Sequence, residues 1–353
     1  MFKPNFTITS KILNNLTKIA EIKAIVERSK ILPKRESLLR RSAVIKMAHT
    51  STSIEGNLLA EFEVEKVLAG KKISASQKQI AEVINFEKAL VALNNLSQDK
   101  RFPQKKDIFT LHKFVIKGLV DDQKCGCFRR EPIYIVNVNK NREKLAYTAP
   151  DASKVSILID ELIAWLKSSQ TEQLHPILTS GLFHYQFVTI HPFTDGNGRV
   201  ARLLTLGYLY QHNYDFRKIL VLEEYYNNNR RAYYEALQTG KNYKQRKDAD
   251  LSSWLEYFVE GFLHEAKKVK EKIASLGFGK EIKTGEQVFL DNDQIKIMDF
   301  LATLGKITSN DVVDILSLSK RSAQEKLKSL LQKGLLVKKG RGPSTFYILN
   351  TQT

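Results

Sequence analysis

The 353-residue sequence has few cysteines and no long apolar segment, and each shortage excludes a class of protein. Its two cysteines, Cys125 and Cys127, are separated by one glycine, which is too close for an unstrained disulfide and too few ligands for zinc. No apolar run is long enough to span a membrane, and residues 1–10 lack the apolar core of a signal peptide. We therefore expect a cytoplasmic protein with reduced thiols and no membrane partner.

Acidic residues are scarce relative to basic ones, and the formal net charge at pH 7 is +18. Residues 1–50 hold the densest excess, with eleven lysines and arginines against three glutamates. Such a balance favours polyanionic partners, namely nucleotides, nucleic acid or an acidic protein, but it also occurs on solvated helical surfaces. The charge alone does not choose between these interpretations.

Most of the chain has the three- and four-residue apolar spacing of amphipathic helices. A length of 353 residues predicts two or three domains. Pro33 is expected to break the helical backbone between the first two helices. The predicted helices up to residue 275 are 11–29, 36–48, 61–68, 77–96, 107–119, 152–168, 176–190, 199–212, 228–239 and 251–275.

One stretch in the first 280 residues departs from the helical pattern. Residues 128–137 are rich in β-branched and aromatic side chains. The polar turn 139–142 and a second short run that ends at Tyr147 follow, and this order predicts a β-hairpin. Residues 277–290 are rich in Gly, Lys and Glu and are predicted to form a linker.

The last part of the chain, residues 291–353, has a pattern of its own. Three short helices followed by a basic hairpin are the arrangement of a winged helix-turn-helix domain. Its ten basic and six acidic residues make only a modest excess, so DNA binding and protein docking both stay open. The predicted elements are helices 291–303, 309–316 and 319–333, strands 335–337 and 345–349, and a wing with Lys338, Lys339 and Arg341. The recognition helix, 320–332, would lie within the third of these helices.

The chemistry is concentrated in residues 191–202, HPFTDGNGRVAR. Pro192 disfavours helix at His191, and an apolar-periodic run follows Gly198, so this segment should be a loop that leads into a helix N-terminus. A helix N-terminus binds phosphate because its N–H groups are unpaired and its dipole is positive there. Glycines at 196 and 198 let the backbone approach an anion closely.

The same segment carries side chains suited to phosphate transfer. Arg199 and Arg202, three residues apart on one helical face, can fork onto phosphate oxygens. Asp195 is a hard oxygen ligand for Mg²⁺, and His191 can accept a proton near neutral pH. A base, a metal ligand, an anion cradle and two cations together predict a phosphoryl- or nucleotidyl-transfer site.

The segment matches H-x-F-x-D/E-G-N-G-R-x-x-R, the Fic motif, at every fixed position. Over roughly residues 1–275 the chain therefore resembles a Fic family protein adenylyltransferase. The resemblance implies a mainly α fold, with an all-helical core and one small β-hairpin flap, to which the C-terminal winged helix-turn-helix is added. The expected division is an N-terminal helical region with an inhibitory helix (1–100), the Fic core with following helices (101–276), the linker (277–290) and the winged helix domain (291–353).

The resemblance also implies a role for each residue of the site. His191 would activate the target hydroxyl as general base, and Asp195 would hold Mg²⁺ on the α- and β-phosphates of ATP. The hairpin 131–148 would be the flap that aligns the target by strand addition. The nucleotide-binding residues would be Gly196, Asn197 and Gly198 in the anion hole, Arg199 and Arg202 on the phosphates, and Asn229 and Tyr233 on the adenine side. The docking stretch of the flap would be Ile133, Tyr134, Ile135 and Val136.

Residues 51–56, STSIEG, match a second pattern of the family, the inhibitory helix S/T-x-x-x-E-G/N. The match implies that Glu55, with Ser51 at the start of the pattern, pairs with Arg202 and occupies the place of the γ-phosphate. A Ser or Thr shortly before Glu is also a common capping device at helix starts, so that interpretation stays open.

The expected reaction is transfer of AMP from ATP to a Ser, Thr or Tyr hydroxyl of a target protein, or of the chain itself. Gly198 stands where a Fic relative that acts as a kinase carries Lys, which favours attack at the α-phosphate. Three alternatives stay open: removal of AMP, with Glu55 positioning water; a donor such as UTP or GTP, because the motif reads phosphates; and a DNA-bound regulator with a nucleotide-sensing site. The target, the effector and homo-oligomerisation are not fixed by the sequence.

Overall fold

The computed structural model describes residues 2–29, 31–139, 142–276, 290–340, 342 and 345–350. Most of these residues are helical, and the strands form two separate antiparallel hairpins, which agrees with the predicted mainly α fold. None of the described helices is both long enough and apolar enough to cross a membrane. The chain divides into two compact units, residues 1–24 with 43–267 and residues 25–42 with 268–353.

Helices α3, α4, α8 and α15 begin and end at the predicted residues, and the other predicted helices differ at both ends. The short helices α7, α10 and α12 are not predicted by the sequence. The elements are α1 (Ser10–Arg28), α2 (Pro33–Ile54), α3 (Glu61–Leu68), α4 (Gln77–Leu96), α5 (Lys105–Ile116), β1 (Tyr134–Asn139), β2 (Arg142–Thr148), α6 (Val155–Leu166), α7 (Ser169–Glu172), α8 (Pro176–Ile190), α9 (Asn197–Gln211), α10 (Leu222–Asn228), α11 (Arg230–Leu237), α12 (Tyr243–Lys247), α13 (Ser252–Leu276), α14 (Asn292–Leu304), α15 (Ser309–Leu316), α16 (Lys320–Gln332), β3 (Leu336–Lys339) and β4 (Phe346–Leu349).

Helices α8 and α9 pack against each other at the centre of the larger unit. Nearly every residue of both is buried, the pattern of a helix surrounded by others. Helices α4 and α5 pack on α9, and α6 packs on α8. Trp254 on α13 donates a hydrogen bond to the Gly181 carbonyl of α8 at 2.8 Å. A Cβ at Gly181 would lie only 2.9 Å from the Phe258 ring, so the glycine permits this close helix contact.

Helix α2 is longer than predicted, and its end positions part of the site. Pro33 is the first residue of α2, where a missing N–H costs nothing, rather than a break between helices. The helix continues to Ile54, past the predicted end at residue 48. The Thr52 hydroxyl donates a hydrogen bond to the Ala48 carbonyl of the preceding turn at 2.7 Å. Gly56, with a φ of +99°, follows the end of the helix.

The hairpin β1–β2 is antiparallel, with Ile135 opposite Tyr147 and a bulge before Val136. Its first strand begins at residue 134, later than predicted, and Ile133 precedes it. Residues 140 and 141 of the predicted turn lie outside the described residues. The Tyr147 hydroxyl donates to the Thr189 carbonyl of α8 at 2.6 Å, which fixes the hairpin to the central helix.

The predicted helix 228–239 corresponds to α11, and α10, which ends at residue 228, is not predicted by the sequence. Asn229 (φ −143) breaks the helical backbone, and its side chain accepts a hydrogen bond from Ala232 N and so caps α11.

The smaller unit contains α14, α15, α16 and the hairpin β3–β4. Asp291 and Thr308 cap the first two of these helices with capping boxes, close to the predicted starts. The predicted linker 277–290, apart from residue 290, and Arg341 of the predicted wing lie outside the described residues. The core of this unit is formed by Ile297, Leu301, Ile307, Val312, Ala323, Leu327, Leu330, Leu336 and Tyr347.

Candidate active site

The site is built where α8 ends and α9 begins, as the sequence predicts. Ile190 is the last residue of α8, and His191 (φ 51) turns the chain out of the helix in a left-handed conformation. Gly196 (φ 80) precedes α9 in the same region, which glycine adopts at least cost. Helix α9 begins at Asn197 rather than at 199, so Asn197 and Gly198 belong to its first turn.

The Asn197 side chain fixes the shape of the loop. Its Oδ1 accepts from Phe193 N and its Nδ2 donates to Phe193 O, both at 2.8 Å. Phe193 is fully buried and stacks on the His112 ring at 3.7 Å. His112 Nδ1 accepts from Gly126 N at 2.9 Å, so its Nε2 carries the proton and donates to Asp195 O at 3.1 Å. These contacts hold the loop between the two helices in one conformation.

His191 is arranged as a neutral base. Its Nδ1 lies 3.2 Å from the Val188 carbonyl, which can only accept, so Nδ1 carries the proton and Nε2 keeps its lone pair. Burial lowers the pKa of His191 to about 4, although part of the residue stays exposed. The ring is therefore uncharged at neutral pH and can accept a proton at Nε2.

Arg199 and Asp195 lie side by side at the start of α9. Arg199 is buried, and its Nη2 donates to Asp195 Oδ1 at 3.1 Å. Within the described residues, Arg199 Nε and Nη1 have no hydrogen-bond partner. Both hydrogen bonds to the Asp195 carboxylate, from Gly196 N and Arg199, are accepted by Oδ1, and about half of the side chain is exposed. Donors of this kind can bind an anion, and a half-exposed carboxylate can bind a hard cation.

Arg202 is held by the last turn of α2. Its Nε donates to Ser51 Oγ, and its Nη2 donates to Ser51 O and to Glu55 Oε1, all at 2.8 Å. The guanidinium is 2% exposed and the Glu55 side chain 31% exposed. Because Ser51 lies in the last turn of a helix and not at a start, the alternative that residues 51–56 form an N-terminal cap is wrong.

The Glu55 carboxylate lies on the first turn of α9, at Gly198. A Cβ added at Gly198 would collide with Glu55 Oε1 and lie 3.1 Å from Arg202 Nη1. Gly198 is helical and leaves space for this carboxylate, whereas Gly196 adopts a positive φ. A carboxylate therefore stands at the helix N-terminus where an anion is most favourable.

Arg129, which no sequence pattern singles out, connects this loop to the hairpin. The side chain is buried and donates to three main-chain carbonyls, those of His191 (2.8 Å), Glu131 (2.9 Å) and Pro150. Its own N–H donates to Pro192 O at 3.0 Å. One guanidinium thus joins the candidate base to both ends of the hairpin β1–β2.

The residues predicted on the adenine side do not share one environment. Asn229 is exposed and caps α11. Tyr233 is buried, and its hydroxyl lies 2.8 Å from His184 Nε2. Tyr234, which the sequence does not single out, is 49% exposed and donates from its hydroxyl to Ile54 O at 3.3 Å. Of the two adjacent tyrosines, the second therefore presents its ring beside the site.

The predicted docking stretch on the hairpin is exposed and apolar. Tyr134 and Val136 are 60% and 44% exposed, whereas Ile133 and Ile135 are half-buried. In the part of the chain that the structure describes, β1 pairs only with β2, so its other edge is unpaired. Such an edge can pair with an extended peptide.

Part of the chain is similar in sequence to known proteins. Residues 102–209 match the Fic/DOC family. The protein adenylyltransferase Fic of Drosophila mojavensis is 33% identical over 174 residues, which are 48% of this chain and 32% of that protein. The protein of the same name from Aedes aegypti is 30% identical over 202 residues, 56% of this chain and 37% of that one. The chain thus spans about a third of the length of these curated relatives.

Solved structures share the fold. A Fic family protein from Desulfovibrio desulfuricans G20 superposes with a TM-score of 0.64 at 24% identity. The superposition covers 100% of this chain and 99% of that protein's chain. Residues 134–508 of Fic-1 from C. elegans give 0.59 at 22% identity, over 74% of this chain and 72% of that one. The family match includes the α8–α9 junction and its complete motif, so residues 102–209 of the chain are similar to the Fic/DOC family.

Proposed function

We propose that this protein transfers AMP from ATP to a hydroxyl group of a target protein. One observation carries the proposal: two buried arginines and a base with a free nitrogen converge on the N-terminus of α9, where Glu55 already places an anionic group. The relatives at about 30% identity are named protein adenylyltransferase. The arrangement supplies cations and N–H groups for a phosphate chain and an acceptor for one proton.

In the proposed reaction a Ser, Thr or Tyr oxygen attacks the α-phosphorus of ATP. A P–O bond forms to the target, and the bond from the α-phosphorus to the oxygen of pyrophosphate breaks, with the electron pair leaving on pyrophosphate. The hydroxyl proton passes to His191 Nε2. Arg199, whose Nε and Nη1 lack a partner within the described residues, would bind phosphate oxygens, and Arg202 would bind the γ-phosphate after Glu55 withdraws.

A magnesium ion fits the residues present. Asp195 offers a half-exposed carboxylate next to the phosphate position, with Oδ1 oriented by Gly196 N and Arg199. No group of three potential metal ligands occurs among the described residues, so Asp195 would share the ion with phosphate oxygens and water, as is usual for Mg²⁺. The ion would neutralise charge on the phosphates.

We further propose that residues 51–56, here called the inhibitory segment, keep the enzyme inactive. Support comes from Glu55, which takes one donor of Arg202 and lies over Gly198, where the γ-phosphate would have to bind. A charge-assisted pair with a nearly buried arginine competes directly with ATP for that donor. Removing the carboxylate is therefore expected to activate the protein.

The hairpin β1–β2 is proposed to dock the target. Its exposed apolar stretch, which includes Tyr134 and Val136, and the unpaired edge of β1 support main-chain pairing with an extended segment. Because the hairpin is tied to His191 through Arg129, a docked segment would lie at a fixed distance from the base. A segment of the chain itself is expected to be modified where no target is present.

The test is incorporation of label from ATP labelled at the α-phosphate, with Mg²⁺ present. We compare the wild type, Glu55→Gly, and Glu55→Gly combined with His191→Ala. Strong labelling in the single variant alone would support both the transfer and the inhibition. Absence of label from all three, with ATP bound and the fold intact, would overturn the adenylyltransferase proposal and direct attention to AMP removal or another nucleotide donor.

A second candidate function concerns the smaller unit, which we propose to be a winged helix-turn-helix that binds DNA. Three helices followed by a hairpin support this, as do exposed basic residues at the start of α16 and on β3, namely Lys320, Arg321, Lys338 and Lys339. The chain would then be a regulator whose Fic site senses nucleotide. A sequence-specific DNA shift that persists in His191→Ala and is lost in the double variant Lys338→Ala, Lys339→Ala would favour this function, and no shift would exclude it.

A further inference from the structure

The end of α2 needs more than one contact to stay in place. Glu55 follows the last residue of the helix, and Gly56 turns the chain away immediately after it. The last carbonyls of a helix lack internal partners, and terminal turns fray readily. The Glu55 side chain is also 31% exposed, so its ion pair with Arg202 is partly accessible to water.

A second arginine contacts the inhibitory segment from another direction. Arg230, the first residue of α11, donates from Nη2 to Ser53 Oγ at 2.7 Å. Its Nε donates to Asn227 Oδ1 on α10 at 2.9 Å, which orients the guanidinium. Ser51 and Ser53 are two positions apart on a helix, so they point to different sides. Arg202 therefore holds one side of the last turn of α2, and Arg230 holds another.

Helix α11 adds a third contact one turn further along. Tyr234 is four residues after Arg230 and thus lies on the same face of the helix. Its hydroxyl donates to the carbonyl of Ile54, the last residue of α2, at 3.3 Å. A cation and a donor at the C-terminal end of a helix are favoured by the helix dipole and by its unpaired carbonyls.

We propose that Arg230 and Tyr234 form a second anchor for the inhibitory segment, and that Arg230 is the positioning residue that keeps Glu55 on Arg202. This rests on the proposed function only for its effect on activity. The anchor lies outside the two sequence patterns 51–56 and 191–202, on the helix that borders the nucleotide site. A ligand or partner that engages the Arg230 face of α11 would release Glu55 without touching the α9 phosphate site.

The expected effect is an increase in activity, which few substitutions produce by accident. A hydrogen bond to a charged group is worth a factor of about ten or more in an equilibrium. Arg230→Ala should therefore raise AMP transfer about tenfold in the wild-type background. It should give no further increase in the Glu55→Gly background, because that variant has no carboxylate to keep on Arg202. Ser53→Ala should change activity in the same direction as Arg230→Ala.

The matched control is Arg231→Ala. Arg231 adjoins Arg230, is 87% exposed, and pairs only with Glu235 on the outer face of α11 among the described residues. Its loss should leave transfer unchanged in both backgrounds. Equal changes from the two arginine variants, or a fall in activity from Arg230→Ala in both backgrounds, would overturn the anchor and assign Arg230 to nucleotide binding or to the fold.

Hydrogen exchange gives a readout that does not depend on catalysis. Amides of residues 49–56 should exchange about tenfold faster in Arg230→Ala than in the wild type, and at the wild-type rate in Arg231→Ala. Unchanged exchange in Arg230→Ala would overturn the proposal. If Glu55→Gly transfers no AMP but exchange responds as expected, the anchor stands and the proposed function fails.

Discussion

Arg199 and Arg202 lie three residues apart on α9 and are equally buried, yet their surroundings differ. Arg202 donates to three oxygens of residues 51–55, whereas Arg199 pairs with Asp195 and keeps two donors without a partner in the described structure. A buried cation whose N–H donors lack acceptors lowers the stability of the fold, so we expect its function to be binding of an anionic ligand. Replacing Arg199 should therefore lower activity without lowering the stability of the fold.

Replacing Arg199 by methionine tests whether this arginine serves binding rather than stability. Methionine fills a similar volume without buried polar atoms, so the thermal unfolding midpoint should be no lower than that of the parent. Loss of the phosphate contact should reduce AMP transfer by about a hundredfold or more, measured in the Glu55→Gly background. A midpoint several degrees lower would instead make Arg199 a structural residue, and full activity would remove it from the site.

Some residues of the site were predictable from the sequence, and others were not. The motif places His191 on a loop and Arg199 on the following helix because Pro192 and the apolar period mark that boundary. The choice between Tyr233 and Tyr234 depends on which face of α11 meets His184, a contact between distant segments that helical spacing cannot supply.

The hairpin β1–β2 and the loop after α8 are joined by hydrogen bonds from Arg129. Three carbonyls from residues 131, 150 and 191 converge on one guanidinium, and none of them has a sequence signal. The prediction of a hairpin here is confirmed, but its coupling to the base required the structure. The full length of α2 could not be predicted either, because Thr52 and its serine neighbours are weak helix formers, and the bond from the Thr52 hydroxyl to the Ala48 carbonyl is seen only in the structure.

Arg129→Lys should uncouple these elements, since one ammonium cannot replace a planar fork that reaches three acceptors. We expect transfer to a target to fall by about tenfold or more, while the KM for ATP stays within about twofold because the α9 phosphate site is untouched. Arg130→Lys, at the exposed neighbouring position, is the control and should match the parent. An equal loss in ATP affinity would show that Arg129 supports the whole site rather than the hairpin.

Over the whole of the larger unit, buried histidines connect stability to pH. Burial lowers the pKa of His184 to about 3 and the pKa values of His112 and His191 to about 4, from 6.5. His184 Nδ1 donates to Thr205 Oγ1, whose own proton goes to the Ala201 carbonyl, so His184 is held neutral. Between pH 6.5 and about 4 the unfolded chain binds protons that the folded chain does not.

The fold is therefore expected to lose stability as the pH falls below 6.5, by about 1.4 kcal/mol per histidine for each pH unit. Trp165 and Trp254 are the chain's two tryptophans and both lie in the larger unit, so their fluorescence reports its unfolding. Denaturation at pH 7.5, 6.0 and 5.0 should show the decline, and His184→Gln should make it shallower. A stability that is flat from pH 7.5 to 5.0 would contradict the buried neutral histidines.

Two labels on one variant distinguish AMP transfer from phosphate transfer. Glu55→Gly is incubated with Mg²⁺ and ATP labelled either at the α-phosphate or at the γ-phosphate, with and without His191→Ala. We expect that the α label becomes attached to protein, that the γ label does not, and that the histidine variant abolishes the attachment. Attachment of the γ label, or of neither label while ATP is bound, would contradict it.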